Sequence, residues 1–523
     1  TCGGFVWEWC DHAIYRGKAA NGKDMYAYGG DSDETIHDGN FCMDGLVYPD
    51  RRPHTGLLEF KNINRPVRIT GYNEANGILT LHNYMDFTDI RDYLTMSYEV
   101  TCDGQIIASG NIDVPSVAPH GDGTASLRLI TDMQNLLQTL SAINGPDNSD
   151  STATADCSSV AERFDDKACI KNMIPHRAFL RVIYKAAVGS AFVNEGDVLG
   201  FDEVELGSPK QNTDELMDKT SALSKAQDTT SAPLHISETN TEFVISGSNF
   251  EYTFDRNTGN FAGIVVDGQE LLSAPCDKTI WRAPTDNDRN IKNEWFRAHY
   301  DMVSERTYET SCIIKNDLAV ITCTSCLSAP TVQPVLRINA EWTVSAEGTI
   351  TAGMHVTKNP EFPVLPRFGV RMILKEDMQN INYIGMGPYE SYIDKHHASW
   401  HGAFSASIDE MHEDYIMPQE NGSHFDCSYV QISAPGANDG ADRTSHSIAV
   451  TSAVPFSMNA SPYTAEELTN AAHNYELSES DKSVLCIDYR QNGIGSNSCG
   501  PELDEKYRFD EDEWEFGFTM HVK

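Results

Sequence analysis

Three observations predict a mainly β chain that opens with a single βα unit. Apolar and polar residues alternate over short runs, as in ILTLHN (78–83), AFLRVIYKAA (178–187) and RFGVRMILK (367–375). Turn residues punctuate those runs, most clearly Asp103-Gly104 between two alternating stretches. Helical patterning is confined to short segments after Pro53 and after Thr464. The predicted architecture is the last βα unit of a parallel barrel, then a β-sandwich, then a large antiparallel β-sandwich.

Residues 1–66 read as one unit. Phe5, Trp7 and Trp9 alternate on one face of a predicted strand, GGFVWEW, and a polar, glycine-rich stretch runs on through Asp38. In FCMDGLVYPDRRPHTGLLEFK, Pro53 opens a predicted helix that carries Leu57, Leu58 and Phe60. One strand and one helix cannot enclose a core, so the unit is expected to need partners ahead of residue 1. The chain enters that strand with no initiator Met and no signal peptide, which reads as a cut end.

Residues 67–206 carry short strands at the spacing of a sandwich, among them YLTMSYEVTCDGQIIASGNIDV, with a polar insertion predicted from Asn144 to Ser159. Residues 207–231 lack any apolar period and read as a linker. Residues 232–523 return to strand patterns and are too long for a small sandwich, so a large antiparallel assembly is expected. Within it TAEELTNAAHNYEL reads as a helix from Thr464 to Leu477, with Thr464 and Glu467 forming a capping box.

Composition narrows the functional classes. The 523 residues hold 39 Lys and Arg against 77 Asp and Glu, a formal charge of −38. That balance disfavours nucleic acid and anionic membrane surfaces and suits a neutral ligand. No apolar run approaches the ~20 residues that cross a bilayer. Thirteen cysteines include one C-x-x-C, Cys323 and Cys326 within a strand-like run, which reads as buried thiols in a reducing, cytoplasmic setting.

Several residues could carry chemistry. A tryptophan at a strand terminus can stack on the C–H face of a pyranose, so Trp7 is a candidate sugar platform; periodicity alone also allows Phe5, Trp7 and Trp9 to be packed core. The loop DETIHDGNFCMDG brings His37, Asp38, Asn40 and Asp44 within eight positions, and such oxygens can hold a hard cation or simply face water. TIWRAPTDNDRN, with Arg282, Asp286, Asn287 and Asp288, reads as a strand entering an Asx-type turn. YIGMGPYESY, PQENGSH and GIGSNSCGPEL read as shaped loops, each open to a purely structural role. Asn194-Glu195, in strand-like AFVNEGD, reads as structural. GxSxG, HExxH and a GxGxxG in a βαβ setting are missing, and no two carboxylates stand out as an acid/base couple.

Taken in order, GGFVWEW…DH, AYGGD, NFCMDGLVYPDRRPHTGLLE, WRAPTDND, GMGPYESY, PQENG and GIGSNSCGP resemble the C-terminal half of the large bacterial β-galactosidases of glycoside hydrolase family 2. The resemblance runs from Gly3 to the C-terminus. It implies that residues 1–66 are the eighth strand and helix of a (β/α)8 barrel, 67–206 an Ig-like β-sandwich, and 232–523 the large terminal sandwich of the small-chain type. It implies retaining hydrolysis of terminal β-galactosides, with both catalytic glutamates and the main magnesium ligands on sequence preceding GGFVWEW. The chain alone is therefore expected to be inactive.

Residue by residue, the resemblance makes Trp7 the sugar-stacking tryptophan and gives Phe41, through its backbone carbonyl, and Asp44, through its carboxylate, to a sodium ion. The best-known members carry Asn at the position of Asp44, so the aspartate adds a negative charge. Cys499 falls where some members place a tryptophan platform for the aglycone. The implied partners are a β-galactoside, the N-terminal half of the enzyme, and further copies in a homo-oligomer. Two other roles remain open at this point: a stand-alone carbohydrate-binding or scaffold protein, and a subunit that complements a separately encoded N-terminal half.

Overall fold

The computed structural model describes residues 4–127, 177–207, 233–435, 446–478, 480–495 and 498–523. The predicted insertion 144–159 and nearly all of the predicted linker 207–231 lie outside the described residues. The chain is mainly β. Among the described residues no helix is long and apolar enough to cross a membrane.

The opening unit keeps its helix, Thr55–Ile63, but not its strand. Residues 4–9 are irregular, and Phe5, Trp7 and Trp9 are 104%, 83% and 58% exposed rather than lined up against a core. A strand needs a ladder on its flanks, and among the described residues the segment's backbone bonds only to residues 42–47. The two meet in parallel at a single bridge, Cys10 to Val47. A short hairpin, Ile14–Lys18 with Asp24–Ala27, follows.

The helix docks in a way that its apolar residues do not foretell. Leu57 and Leu58 are half-buried and Phe60 is exposed, whereas Thr55, Glu59 and Asn62, one turn apart on one face, are buried.

The Ig-like sandwich faces a three-stranded sheet (Val67–Asn73, Ile78–Asn83, Asp122–Ser126) against a four-stranded one (Gln105–Ile112, Leu94–Cys102, Ala178–Ala186, Val198–Leu206). Its core gathers the inward positions of both sheets, including Val67, Leu79, Leu81, Met96, Val100, Leu180 and Val182. The hairpin at Asp103-Gly104 forms with both residues at positive φ, 46° and 78°, as a type I′ turn requires. Asn194-Glu195 sits in a turn rather than a strand, because the Asp197 carboxylate accepts from both the backbone and the side-chain amide of Asn194.

In the last region, five strands from His235 to Glu270 form one sheet beside a sheet of twelve. Nine of the twelve strands lie side by side, running from Leu272–Thr279 at one edge through Ser447–Ser461 and Glu513–Val522 to Ser304–Lys315 at the other. Ser423–Ser433 branches from Ser447–Ser461 and carries Asn380–Gly387 and then Trp400–Ser407. Aromatic rings knit this core edge to face, with Phe261 to Trp342 at 5.4 Å and Phe254 to Phe261 at 5.3 Å. Cys323 and Cys326 are buried free thiols, three residues apart on one strand and so on opposite faces of it.

The predicted helix after Thr464 starts with its capping box but runs only from Ala465 to Asn470. Beyond it the chain is held elsewhere. The His473 ring stacks on Tyr28 at 4.4 Å and bonds Asp31 at 2.8 Å, and Asn474–Glu476 forms a separate 3-10 turn.

Polar contacts fix the three parts together. Glu390, buried in the large sandwich, accepts at 2.6 Å each from Thr55 of the helix, Lys395 and Tyr415. Burial alone would raise its pKa, but the Lys395 charge and these donors carry it down to about 2. Glu59 accepts from the His397 ring and the Ala398 amide, both at 2.7 Å. Asn62 bonds the Phe201 backbone on both sides and the His397 carbonyl, touching both sandwiches at once. Between the sandwiches, His401 lies between Glu203 at 2.6 Å and Asp426 at 2.7 Å, and Arg177 grips Asp426 through two bonds and Glu205 through one. Burial would push the His401 imidazole down, yet the two carboxylates raise it to about 9.

Two outcomes follow for stability. Glu390→Gln leaves the Lys395 charge buried without its partner, so thermal unfolding should report a loss of about 3–5 kcal/mol. Because the folded value lies below the ordinary 4.5, the Glu390 contribution is complete above that pH and drains as pH falls toward about 2, an acid limb that the variant lacks. His401 works in the opposite sense. Its contribution is complete below pH 6.5 and is lost as pH rises through about 9, so the melting difference between His401→Gln and the parent should shrink across that window.

Candidate functional site

Two stretches of the opening unit are tied into one piece. The Leu46 and Val47 amides both donate to the Trp9 carbonyl at 3.0 Å, and the Asp11 amide donates to the Val47 carbonyl at 3.0 Å. The His12 amide donates to the Cys42 carbonyl at 2.8 Å. Asp11 completes the joint with its side chain: one oxygen accepts from the Gly45 amide at 2.9 Å and the other faces His54 Nε2 at 2.7 Å. The approach leaves no room at Gly45, where a Cβ would lie 2.3 Å from the Asp11 nitrogen. The His54 ring in turn stacks on Tyr48 at 3.7 Å, and the Tyr48 hydroxyl donates to Glu413 of the last sandwich.

This joint ties the segment that follows Trp7 to the loop that carries Asp44. Trp7 stands open to solvent one residue before Glu8, and Asp44 lies beside Glu8 and Asp11. Partial burial raises the Asp44 carboxyl above the usual range, and the nearby negative charges of Glu8 and Asp11 push it further the same way. Phe41 lies three residues earlier in the same loop, partly exposed.

Among the described residues no group of three or more His, Cys, Asp or Glu side chains is placed to hold a metal ion. The donors at hand are instead one carboxylate and backbone carbonyls, hard oxygen ligands of the kind an alkali cation takes, and a positive ion would relieve the crowding of negative charge at Asp44.

The loop also leans on the last sandwich. Asn40 Nδ2 donates to Asp286 Oδ1, and Gln419 holds the same aspartate twice, its Nε2 donating to Oδ2 at 2.9 Å and its Oε1 accepting from the Asp286 amide at 2.9 Å. The Arg289 guanidinium lies 4.7 Å from the centre of the Phe41 ring and 3.4 Å from Asp38. Behind the loop, Gly29 and Gly30 of AYGGD take its close approach: a Cβ would come within 2.7 Å of the Gly39 oxygen and 2.8 Å of the His37 ring.

The remaining motifs brace this face. Fully buried Arg282 of WRAPTDND forks onto Asp288 at 2.9 and 3.1 Å and bonds the carbonyls of Asn492 and Gly493, which open the GIGSNSC loop. Asp394, just past GMGPYESY, accepts from the Ile494 and Gly495 amides at 3.0 and 2.8 Å. Glu420 of PQENG is buried between Arg367 and the neighbouring sheet, and burial raises its carboxyl despite the Arg367 and Arg282 charges. Cys499 is exposed in the loop that Asp394 holds; residues 496 and 497 beside it lie outside the described residues. Among the described residues no hydrogen bond or ring contact joins Cys499 to Trp7, Phe41 or Asp44.

Sequence reasoning singled out Trp7, Phe41, Asp44 and the loops; Asp11, His54, Gln419 and Glu390 stand inside the quoted motifs but received no role of their own. The contacts that join them to other elements, Asp11 to Gly45 and His54, Glu390 to Thr55, and Gln419 to Asp286, come from partners distant in the chain, so their own neighbourhoods do not announce them.

Comparison with known proteins fits this geometry. The Beta galactosidase small chain family matches residues 246–520, the TIM barrel domain of Glycosyl hydrolases family 2 matches residues 1–69, and Beta-galactosidase, domain 4, matches residues 79–207. The β-galactosidase of Actinobacillus pleuropneumoniae is 36% identical over 520 residues, 99% of this chain and 44% of that protein. The β-galactosidase of Staphylococcus xylosus is 31% identical over 527 residues, 99% of this chain and 46% of that protein. That of Pseudoalteromonas haloplanktis is 25% identical over 537 residues, 99% of this chain and 45% of that protein. The chain thus spans less than half the length of these curated relatives. Its barrel-end helix, Ig-like sandwich and small-chain sandwich, in that order, place it in glycoside hydrolase family 2, among the β-galactosidases.

Proposed function

We propose that this chain is the C-terminal part of a retaining β-galactosidase that hydrolyses terminal β-D-galactosides such as lactose. It furnishes walls of the galactose site and leaves the acid chemistry to sequence that precedes it. Retaining hydrolysis takes two carboxyl groups about 5–5.5 Å apart, one attacking the anomeric carbon and one protonating the leaving oxygen. The family resemblance puts both on barrel strands ahead of GGFVWEW, so this chain alone is inactive. Trp7 stacks on the galactose ring, Phe41 and Asp44 hold sodium beside it, and the loop of Cys499 borders the acceptor. Magnesium belongs to the whole enzyme, its main ligands on sequence ahead of GGFVWEW.

One observation carries the reading: an 83% exposed tryptophan sits on a segment whose backbone is bonded to the loop of Asp44. An indole held open beside hard oxygen donors suits a sugar whose hydroxyls reach a cation.

The purified chain should release no nitrophenol from a chromogenic β-galactoside, and turnover that survives removal of trace host enzyme would overturn the proposal. With the preceding barrel sequence joined or mixed in, activity should appear. In that assembly Trp7→Ala should lower kcat/KM at least tenfold, about 1.4 kcal/mol, while Trp7→Phe keeps much of it.

A further inference from the structure

The sequence motifs WRAPTDND and PQENG lie far along the chain from the loop of Phe41 and Asp44, yet their side chains reach it. We propose that Asp286 and Gln419 are positioning residues for the cation-holding loop, and that Asn40 is the handle by which they set the Phe41 carbonyl. The inference rests on the reading of Phe41 and Asp44 as cation ligands and extends it to residues of the last sandwich.

The geometry is specific in its donors and acceptors. Asp286 presents two carboxylate oxygens: one takes the Asn40 amide and the other the Gln419 amide, while Gln419 Oε1 takes the Asp286 backbone N–H. Gln419 is itself buried and also donates to the Met417 carbonyl, so the aspartate is held from a fixed base. Asn40 immediately precedes Phe41, and the Asn40 carbonyl accepts from the Met43 amide at 2.8 Å in a turn that ends beside Asp44. Holding the Asn40 side chain and its carbonyl restrains the Asn40–Phe41 peptide, the plane of the Asn40 carbonyl and the Phe41 amide, and so narrows where the next carbonyl, that of Phe41, can be placed. Arg289, over the Phe41 ring and against Asp38, holds the same loop from its other side. An extended carboxamide reaching an aspartate from another part of the fold is more than the solvated loop residue that Asn40 would be on its own.

Hydrogen-bond polarity gives a sharp test. Asp286→Asn puts an amide where the Asn40 and Gln419 amides both point, so one bond must break. The double variant Asn40→Asp with Asp286→Asn exchanges donor and acceptor and restores the pair at unchanged net charge. On the full chain, hydrogen exchange at the Phe41 and Met43 amides and sodium-23 line broadening would be measured for the parent, the single variant, the double variant and Asp44→Ala, each with its thermal midpoint.

Asp286→Asn should speed exchange at the two amides about three- to tenfold and weaken sodium binding by a similar factor, and the double variant should recover both. Asp44→Ala should abolish the sodium signal with little effect on exchange. Unchanged exchange in Asp286→Asn, or faster exchange with sodium binding intact, would overturn the positioning role. A double variant that fails to recover while keeping the parental midpoint would overturn it too. A parent chain that broadens no sodium signal would instead remove the cation reading on which the inference rests, and exchange alone would then report only a structural contact.

Discussion

The helix Thr55–Ile63 faces the rest of the molecule with its polar side, and much of the architecture depends on that choice. Thr55, Glu59 and Asn62 each meet a partner built to receive them: a buried carboxylate with its lysine, a histidine with an adjacent amide, and two exposed backbone edges. Such a contact is specific rather than adhesive. Apolar faces slide past one another at little cost, but a buried carboxylate surrounded by counted donors tolerates one register only. The opening unit, with half-exposed leucines and open aromatics, keeps its position through this stripe. Its apolar side is left for other structure to cover.

The same economy runs outward to the candidate site. Asp11 ties Trp9, Gly45 and Val47 into one piece, and Tyr48 and His54 connect that piece to Glu413 and Tyr415. The backbone next to Trp7 and the loop of Asp44 are therefore tied to one another and, through Tyr48 and His54, to the last sandwich. A site assembled this way gains rigidity from backbone bonds and from side chains locked behind it, the arrangement a sugar-binding wall needs if stacking and cation contacts are to act on one ring.

Much of this was legible in the amino-acid order. Alternation located the strands from Ile78 onward, Asp103-Gly104 announced its turn, and Thr464 with Glu467 announced a helix start. Each is a short-range rule that tertiary structure had no reason to override. The failures share a cause. GGFVWEW alternates like a strand but finds no ladder among the described residues, so periodicity named an element that pairing did not complete. The helix after Thr464 was drawn too long because the pull of Asp31 and Tyr28 on His473 comes from more than four hundred positions away. The loops around Asp286 and Gln419 read as turns, and they are turns. What hid their further use is that a hydrogen bond between Asn40 and Asp286 leaves no trace in either neighbourhood.

The tip of the Asp103-Gly104 hairpin bears on a different question, how freely the pieces of such a molecule could be exchanged. Gly104 rests directly on the backbone of Gly402 and Ala403, its ideal Cβ position 2.4 Å from the Ala403 nitrogen, and its own carbonyl accepts that nitrogen's proton at 3.2 Å. Two main chains in bare contact leave no slack. A graft that lengthened this tip by one residue, or gave it any side chain, would wedge the two sandwiches apart and carry the strain to His401 and Arg177 nearby. Chimaeras between relatives would therefore have to swap the hairpin and the strand beneath it together, as a matched lock and hasp.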